Sequence, residues 1–136
     1  MKTAYVDANV IVRLITDDPP DMAKQAAALF ARVDCGEVRL VVDSIVVAET
    51  VWVLSSFYGF SPEQIGPVLR EFLVGDGIES EEKTELLRAL ILYEEKNVDF
   101  ADALLTVKMM KHGVTEVYSF DEHFDRMESI RRVQPG

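Results

Sequence analysis

Residues 3–14 read TAYVDANVIVRL, and this stretch decides the fold. Tyr5 and Val6 suit a short strand, because β-branched and aromatic side chains fit a pleated, half-buried surface. Val10, Ile11 and Leu14 then share one face at helical spacing, so the pattern changes period between Val6 and Val10. Asp7 falls at the junction, where a strand stops and a helix begins. In a parallel α/β sheet these strand ends line the crevice in which ligands bind, since the connecting loops open there. Two readings of Asp7 stand side by side: a cap for the helix that follows, or a site carboxylate. Its partners along the chain must choose between them.

The remaining chain supplies strands separated by helices, as an α/β fold requires. A helix is predicted from about Asp21 to Val33, with Pro20 or Asp21 at its start and Gly36 as its stop, and with Ala23, Ala26, Ala27, Phe30 and Val33 as its apolar face. Val38–Val42 reads as a second strand, with Asp43 or Ser44 capping the next helix, about Ile45–Phe57. Ser61-Pro62-Glu63 opens a further helix whose core face is Ile65, Val68, Leu69 and Phe72. A very short strand is expected near Ile78, then a helix over 81–96 that buries Leu86, Leu87, Leu90, Ile91 and Tyr93. A helix within 97–113, a strand over Val114–Phe120, a short acidic helix and an edge strand over Ile130–Val133 complete the chain.

Size and composition bound the function. The 136 residues, 49% of them hydrophobic, fit one domain, 1–136, with a core that needs no staples. Cys35 is the only cysteine, so no internal disulfide can form; a reducing, cytoplasmic setting and a role as small apolar filler are expected. Asp7, Asn9 and Arg13 interrupt any signal-like apolar run, and no segment approaches membrane-spanning length. The formal net charge of −10 argues against coating nucleic acid with a broad basic face. It is compatible with a compact site in which a divalent metal reverses the local sign, and it invites a basic partner.

The informative residues are carboxylates. Glu49 is the only charged residue in the IVVAETVWVLSSF helix, where a carboxylate needs either a partner, a metal or a solvent-facing stripe. The same helix carries more apolar surface, including Trp52 and Phe57, than a small core covers, which predicts a homodimer. Asp99 and Asp102 lie three apart at the start of a helix and so project from one face, either for the helix dipole or for a ligand. Asp121 follows the VTEVYSF strand as Asp7 follows the first. Gathered together, such acids would need protons or metal to relieve their repulsion, and an all-oxygen donor set favours magnesium or manganese. No Cys/His set has zinc spacing, and His112 and His123 read as ordinary surface residues.

In order and over nearly the whole chain, VDANVIVRL, the glutamate of VVAET, the second aspartate of VDFADALL and the aspartate of YSFDEHF resemble the PIN domain family, and within it the VapC-type ribonuclease toxins of toxin–antitoxin pairs. The resemblance implies a mostly parallel sheet of about five strands, in the order 3-2-1-4-5, between layers of helices. It implies metal-dependent hydrolysis of RNA phosphodiester bonds, with Asp7, Glu49, Asp102 and Asp121 holding Mg²⁺ or Mn²⁺ directly or through water. Asn9 and Ser119 would steady metal-bound water or a ligand carboxylate, and Asp99 matches a frequent extra acid. Arg13 stands where it could meet RNA or form a surface salt bridge. A cognate basic antitoxin is the implied partner. Two other readings are a non-catalytic PIN-like module that binds RNA or peptide, and a haloacid-dehalogenase-like phosphatase. The second lacks its motif here, since Asn9 and Ile11 replace the acid and threonine of DxDxT.

Overall fold

The computed structural model describes residues Met1–Gly136, which form two compact units, Met1–Lys83 and Thr84–Gly136. The first contains β1 (Lys2–Tyr5), α1 (Ala8–Thr16), α2 (Pro20–Asp34), β2 (Val38–Val41), α3 (Ser44–Ser56), α4 (Pro62–Leu73) and β3 (Ile78–Glu79). The second contains α5 (Lys83–Lys96, its first residue shared with the boundary), α6 (Phe100–Lys111), β4 (Glu116–Tyr118), a 3₁₀ turn (Glu122–Arg126) and β5 (Arg131–Val133). No helix is long and apolar enough to cross a membrane.

In the first unit β1, β2 and β3 pair in parallel in that order, with Ala4 opposite Leu40 and Leu40 opposite Ile78. That register puts one row of small and aliphatic side chains against the helices, where Leu40 and Ile78 are buried. Because the strands are parallel, their C-terminal ends share an edge, and α1 and α3 start from it. Asp7 caps α1, its Oδ1 accepting from the Ala8 N–H at 2.8 Å; Asp43 caps α3, accepting from Ile45 N–H at 2.9 Å. The two helices pack on each other. Their buried faces are Ile11 and Val12 on α1, and Val47, Val51 and Leu54 on α3. Thr50 is fully buried among them and donates its hydroxyl to the Val46 carbonyl at 2.7 Å, so the core holds no unpaired hydroxyl there. Ser61 and Gln64 close a capping box at the start of α4, behind Pro62 at the first helical position. Gly77, at φ +82, precedes β3; a Cβ there would stand 2.8 Å from Val33 Cγ1, so the turn needs glycine both for its backbone and for its space.

In the second unit α5 buries Leu86, Ala89, Leu90 and Tyr93, and α6 buries Phe100, Ala103, Val107 and Met109. Tyr93 meets the Phe100 ring edge-on, with centroids 6.2 Å apart. β4 and β5 pair in parallel, Val117 opposite Arg132.

Several sequence expectations change. The five strands form a three-stranded and a two-stranded sheet rather than one sheet in the order 3-2-1-4-5; the 3-2-1 part holds, and no ladder joins β1 to β4. These strands are two to four residues long; β2 is bonded along both edges and the others along one, and hydrophobic patterning does not report which edges are bonded. Cys35 is exposed at the C-terminal cap of α2, not a core filler, because the helix turns that position outward before Gly36. On α4 the buried row runs Ile65, Leu69, Leu73, four apart, which leaves Val68 exposed. Ile91 on α5 is exposed for the same reason.

Candidate metal centre

The start of α6 and the end of β4 bring three carboxylates together. Asp99, Asp102 and Asp121 each offer an oxygen, and these oxygens all lie within 4.8 Å of one another. Asp99 occupies the N-cap position of α6, yet its side chain makes no capping hydrogen bond, so it is left for the cluster. Asp102 stands three residues on, in the first turn, and its own carbonyl accepts from the buried Thr106 hydroxyl at 2.9 Å, which fixes that turn. Ala103, beside Asp102, is fully buried, so the helix is seated tightly at this point.

Asp121 is held by its neighbours. Its N–H donates to Ser119 Oγ at 2.9 Å, and its Oδ1 accepts from the His123 N–H at 2.9 Å, an arrangement that starts the 3₁₀ turn. The His123 Nδ1 is 3.4 Å from the same oxygen. Ser119 therefore orients the backbone of an acid, a role the sequence reading did not give it. His123, read as an ordinary surface residue, also supports Asp121; the signal was the Asp-x-His spacing, in which an aspartate accepts from the N–H two residues later.

The electrostatics of the cluster are those of crowded acids. Burial, then the negative charge of Asp121, then a hydrogen bond that its acid form gives to Asp121, then Asp99, push the Asp102 carboxyl up to about 6. Asp121 moves the other way, held below the usual carboxylate range chiefly by the His123 backbone N–H, with help from the His123 side chain and Asp102. When the pair holds a proton, at pH below about 6, it resides on Asp102. An oxygen-only set in which the neighbours of one carboxylate disfavour its ionised form is chemically suited to a hard divalent cation, whose charge would offset that cost.

In the first unit Asp7, Asn9 and Glu49 are exposed. Asp7 realises both of its readings at once: it caps α1, and the cap fixes its carboxylate at the C-terminal edge of the sheet. Glu49, in the second turn of α3, lies on the solvent-facing stripe of that helix with Ile45 and Trp52, by i, i+4, i+7 spacing. The three-carboxylate cluster contains neither Asp7 nor Glu49. Arg13 makes no salt bridge to a carboxylate: its Nη1 donates to the Asp18 carbonyl at 3.3 Å and to Tyr58 Oη at 3.2 Å, and Tyr58 donates to Asp18 Oδ2 at 2.9 Å.

A model of the PIN domain family matches residues 4–130, almost the whole chain. The chain belongs to the PIN domain family. The match spans both compact units and contains every acid named above. Among curated relatives, the chain is 32% identical over 97 residues to a VapC ribonuclease of Aquifex aeolicus (strain VF5), an alignment that covers 71% of each protein. The acids in this PIN chain stand in the sequence order that first suggested the family.

Proposed function

We propose that this PIN protein is a metal-dependent endoribonuclease, the toxin of a type II toxin–antitoxin pair, acting in the cytoplasm as one domain. The observation that carries the reading is the Asp99–Asp102–Asp121 cluster, three carboxylates with oxygens within 4.8 Å, in a member of a family whose relative is named a VapC ribonuclease. Asp102 and Asp121, with Asp7 and Glu49, are proposed to hold Mg²⁺ or Mn²⁺, and Asp99 to assist. When bound, the cation supplies charge neutralisation at the scissile phosphate and activation of the attacking water. The chain's own groups do the rest. Ser119 and the His123 N–H hold Asp121 in place, the Asp7 cap fixes a second carboxylate, and Asn9 offers an amide to water or phosphate. The test is cleavage of a mixed RNA pool with and without EDTA: activity should vanish on chelation and return with Mg²⁺ or Mn²⁺. Activity indifferent to chelation would remove the metal from the proposal.

The acidic chain is proposed to pair with a basic antitoxin, whose arginine or lysine could occupy the acidic site, and with a second copy of itself. Support for the homodimer comes from α3, where Ile45, Trp52 and Phe57 are 63%, 67% and 77% exposed. Ile45 and Trp52 share one stripe, and Phe57 stands at the C-terminal cap of the same helix; large exposed apolar side chains grouped in this way are costly in water and are covered in most proteins by an interface. Trp52→Glu should convert dimer to monomer in sedimentation at micromolar concentration, since an anchor of this size carries a large share of interface energy. A wild-type protein that is monomeric under those conditions would end the dimer reading.

A further inference from the structure

Tyr118 and Phe120 flank Ser119 and are 74% and 72% exposed, although the segment that carries them is pinned. The Ser119 N–H donates to the Val133 carbonyl at 3.1 Å, and Arg132 Nη1 donates to the Ser119 carbonyl at 3.2 Å. These two bonds fix the backbone between the rings, and the Asp121 N–H on Ser119 Oγ fixes it beyond Phe120. A slack loop can turn its apolar groups away from water, whereas a pinned one presents them. Phe120 also lines an open hollow of about 610 Å³ with Asp121, Glu122, His123, Asp125 and Arg126. Its walls are polar or charged apart from that one ring, which suits an apolar peptide face poorly. They suit a ligand with one flat π-face and polar edges.

We propose that Tyr118 and Phe120 form a stacking platform that holds unpaired bases of the RNA beside the Asp99–Asp102–Asp121 cluster. The inference rests on the ribonuclease reading above. Every nucleobase has a π-face, and aromatic side chains hold successive bases of single strands, while a duplex keeps those faces stacked inside itself. Phe120 is bonded in sequence to Asp121, so a base on its ring brings its own backbone phosphate close to a cluster acid. Arg126, in the same hollow, adds a positive group that offsets the surrounding acids.

The test is a Tyr118→Ser/Phe120→Ser double variant. Its KM for a single-stranded substrate, and its Kd for the same strand in an Asp7→Asn background, should rise about tenfold to a hundredfold, with kcat within about twofold. Phe120→Tyr should keep the wild-type values, and Met22→Ser, another exposed apolar change, should leave them unmoved. In a Trp52→Phe background, Phe120→Trp should show fluorescence quenched by single-stranded oligonucleotide and not by the matching duplex. An unchanged Kd and KM for the double variant would overturn the platform, as would quenching by duplex and single strand alike. So would a double variant that loses only dimerisation or capture of a basic peptide. If the wild type cleaves RNA and the double variant is indifferent, the stacking inference alone fails. If the wild type neither binds nor cleaves RNA, the ribonuclease reading fails first.

Discussion

Asp102→Asn should lower RNA cleavage by at least about a hundredfold and at the same time make the metal-free protein more stable at neutral pH. The two effects have one cause. The Asp102 carboxyl titrates near 6 in the folded chain, against an ordinary value of 3.8, because burial and the charge of Asp121 disfavour its ionised form. Between those values the folded state binds more protons at Asp102 than the unfolded state does, so the contribution of this group to stability is fully present at low pH and is lost as pH rises through about 6. Above that the ionised carboxylate is a standing cost, discounted by partial solvent exposure to about 1 kcal/mol. Asparagine keeps the shape and removes the charge, hence the cost. It also removes a ligand charge, hence the activity. Denaturant unfolding at pH 5 and pH 7.5 checks the first half: the wild type without metal should be the weaker at pH 7.5, and the variant should show little difference. Millimolar Mg²⁺ should recover the wild type at pH 7.5 by binding the ionised form, and should do far less for the variant. A wild type equally stable at both pH values, or a variant that cleaves normally, would separate Asp102 from the metal.

Much of the fold was legible because its punctuation has local causes. Asp43 before Ile45, Ser61-Pro62 before an apolar run and Gly36 after one each act through the backbone next to them, and each sits where the pattern put it. What was hidden depends on distant atoms. Whether a strand as short as β4 is bonded along one edge or two is decided by its neighbours, not by Glu116–Tyr118 themselves. Cys35 looked like core filler by residue type, but its exposure follows from the phase of α2 at its last turn. The site shows the same division. Asp99 and Asp102 were readable as a pair from helical spacing, whereas the strand-end position of Asp121 matched it to Asp7 and did not report its closeness to that pair. The parts played by Ser119 and His123 are hydrogen bonds to a neighbour's backbone and carboxylate, for which the residue types gave only a weak hint. Glu49 was ambiguous in the sequence between ligand and solvent stripe; on α3 it occupies the stripe.

Asp7 is the residue for which cap and catalyst can be pulled apart, and Asp7→Asn should abolish cleavage while leaving the fold intact. Its Oδ1 accepts from the Ala8 N–H, a bond that an asparagine carbonyl makes equally well, and asparagine ranks with aspartate as a helix cap. The substitution therefore preserves α1 and removes only the charge. Asp7→Ala removes both, and should cost about 1 kcal/mol of stability in addition to the activity. If Asp7 served α1 alone, Asn would cleave RNA like the wild type and Ala would fail only in proportion to its lost stability. If it holds metal, as proposed, both variants should fall by at least about a hundredfold in cleavage, whatever their stability. Single-turnover cleavage of one RNA pool by wild type, Asn and Ala proteins, each with its melting temperature, distinguishes the cases. An Asn variant as active as the wild type would confine Asp7 to its structural role and shift the search for the remaining ligand to Glu49 and Asn9.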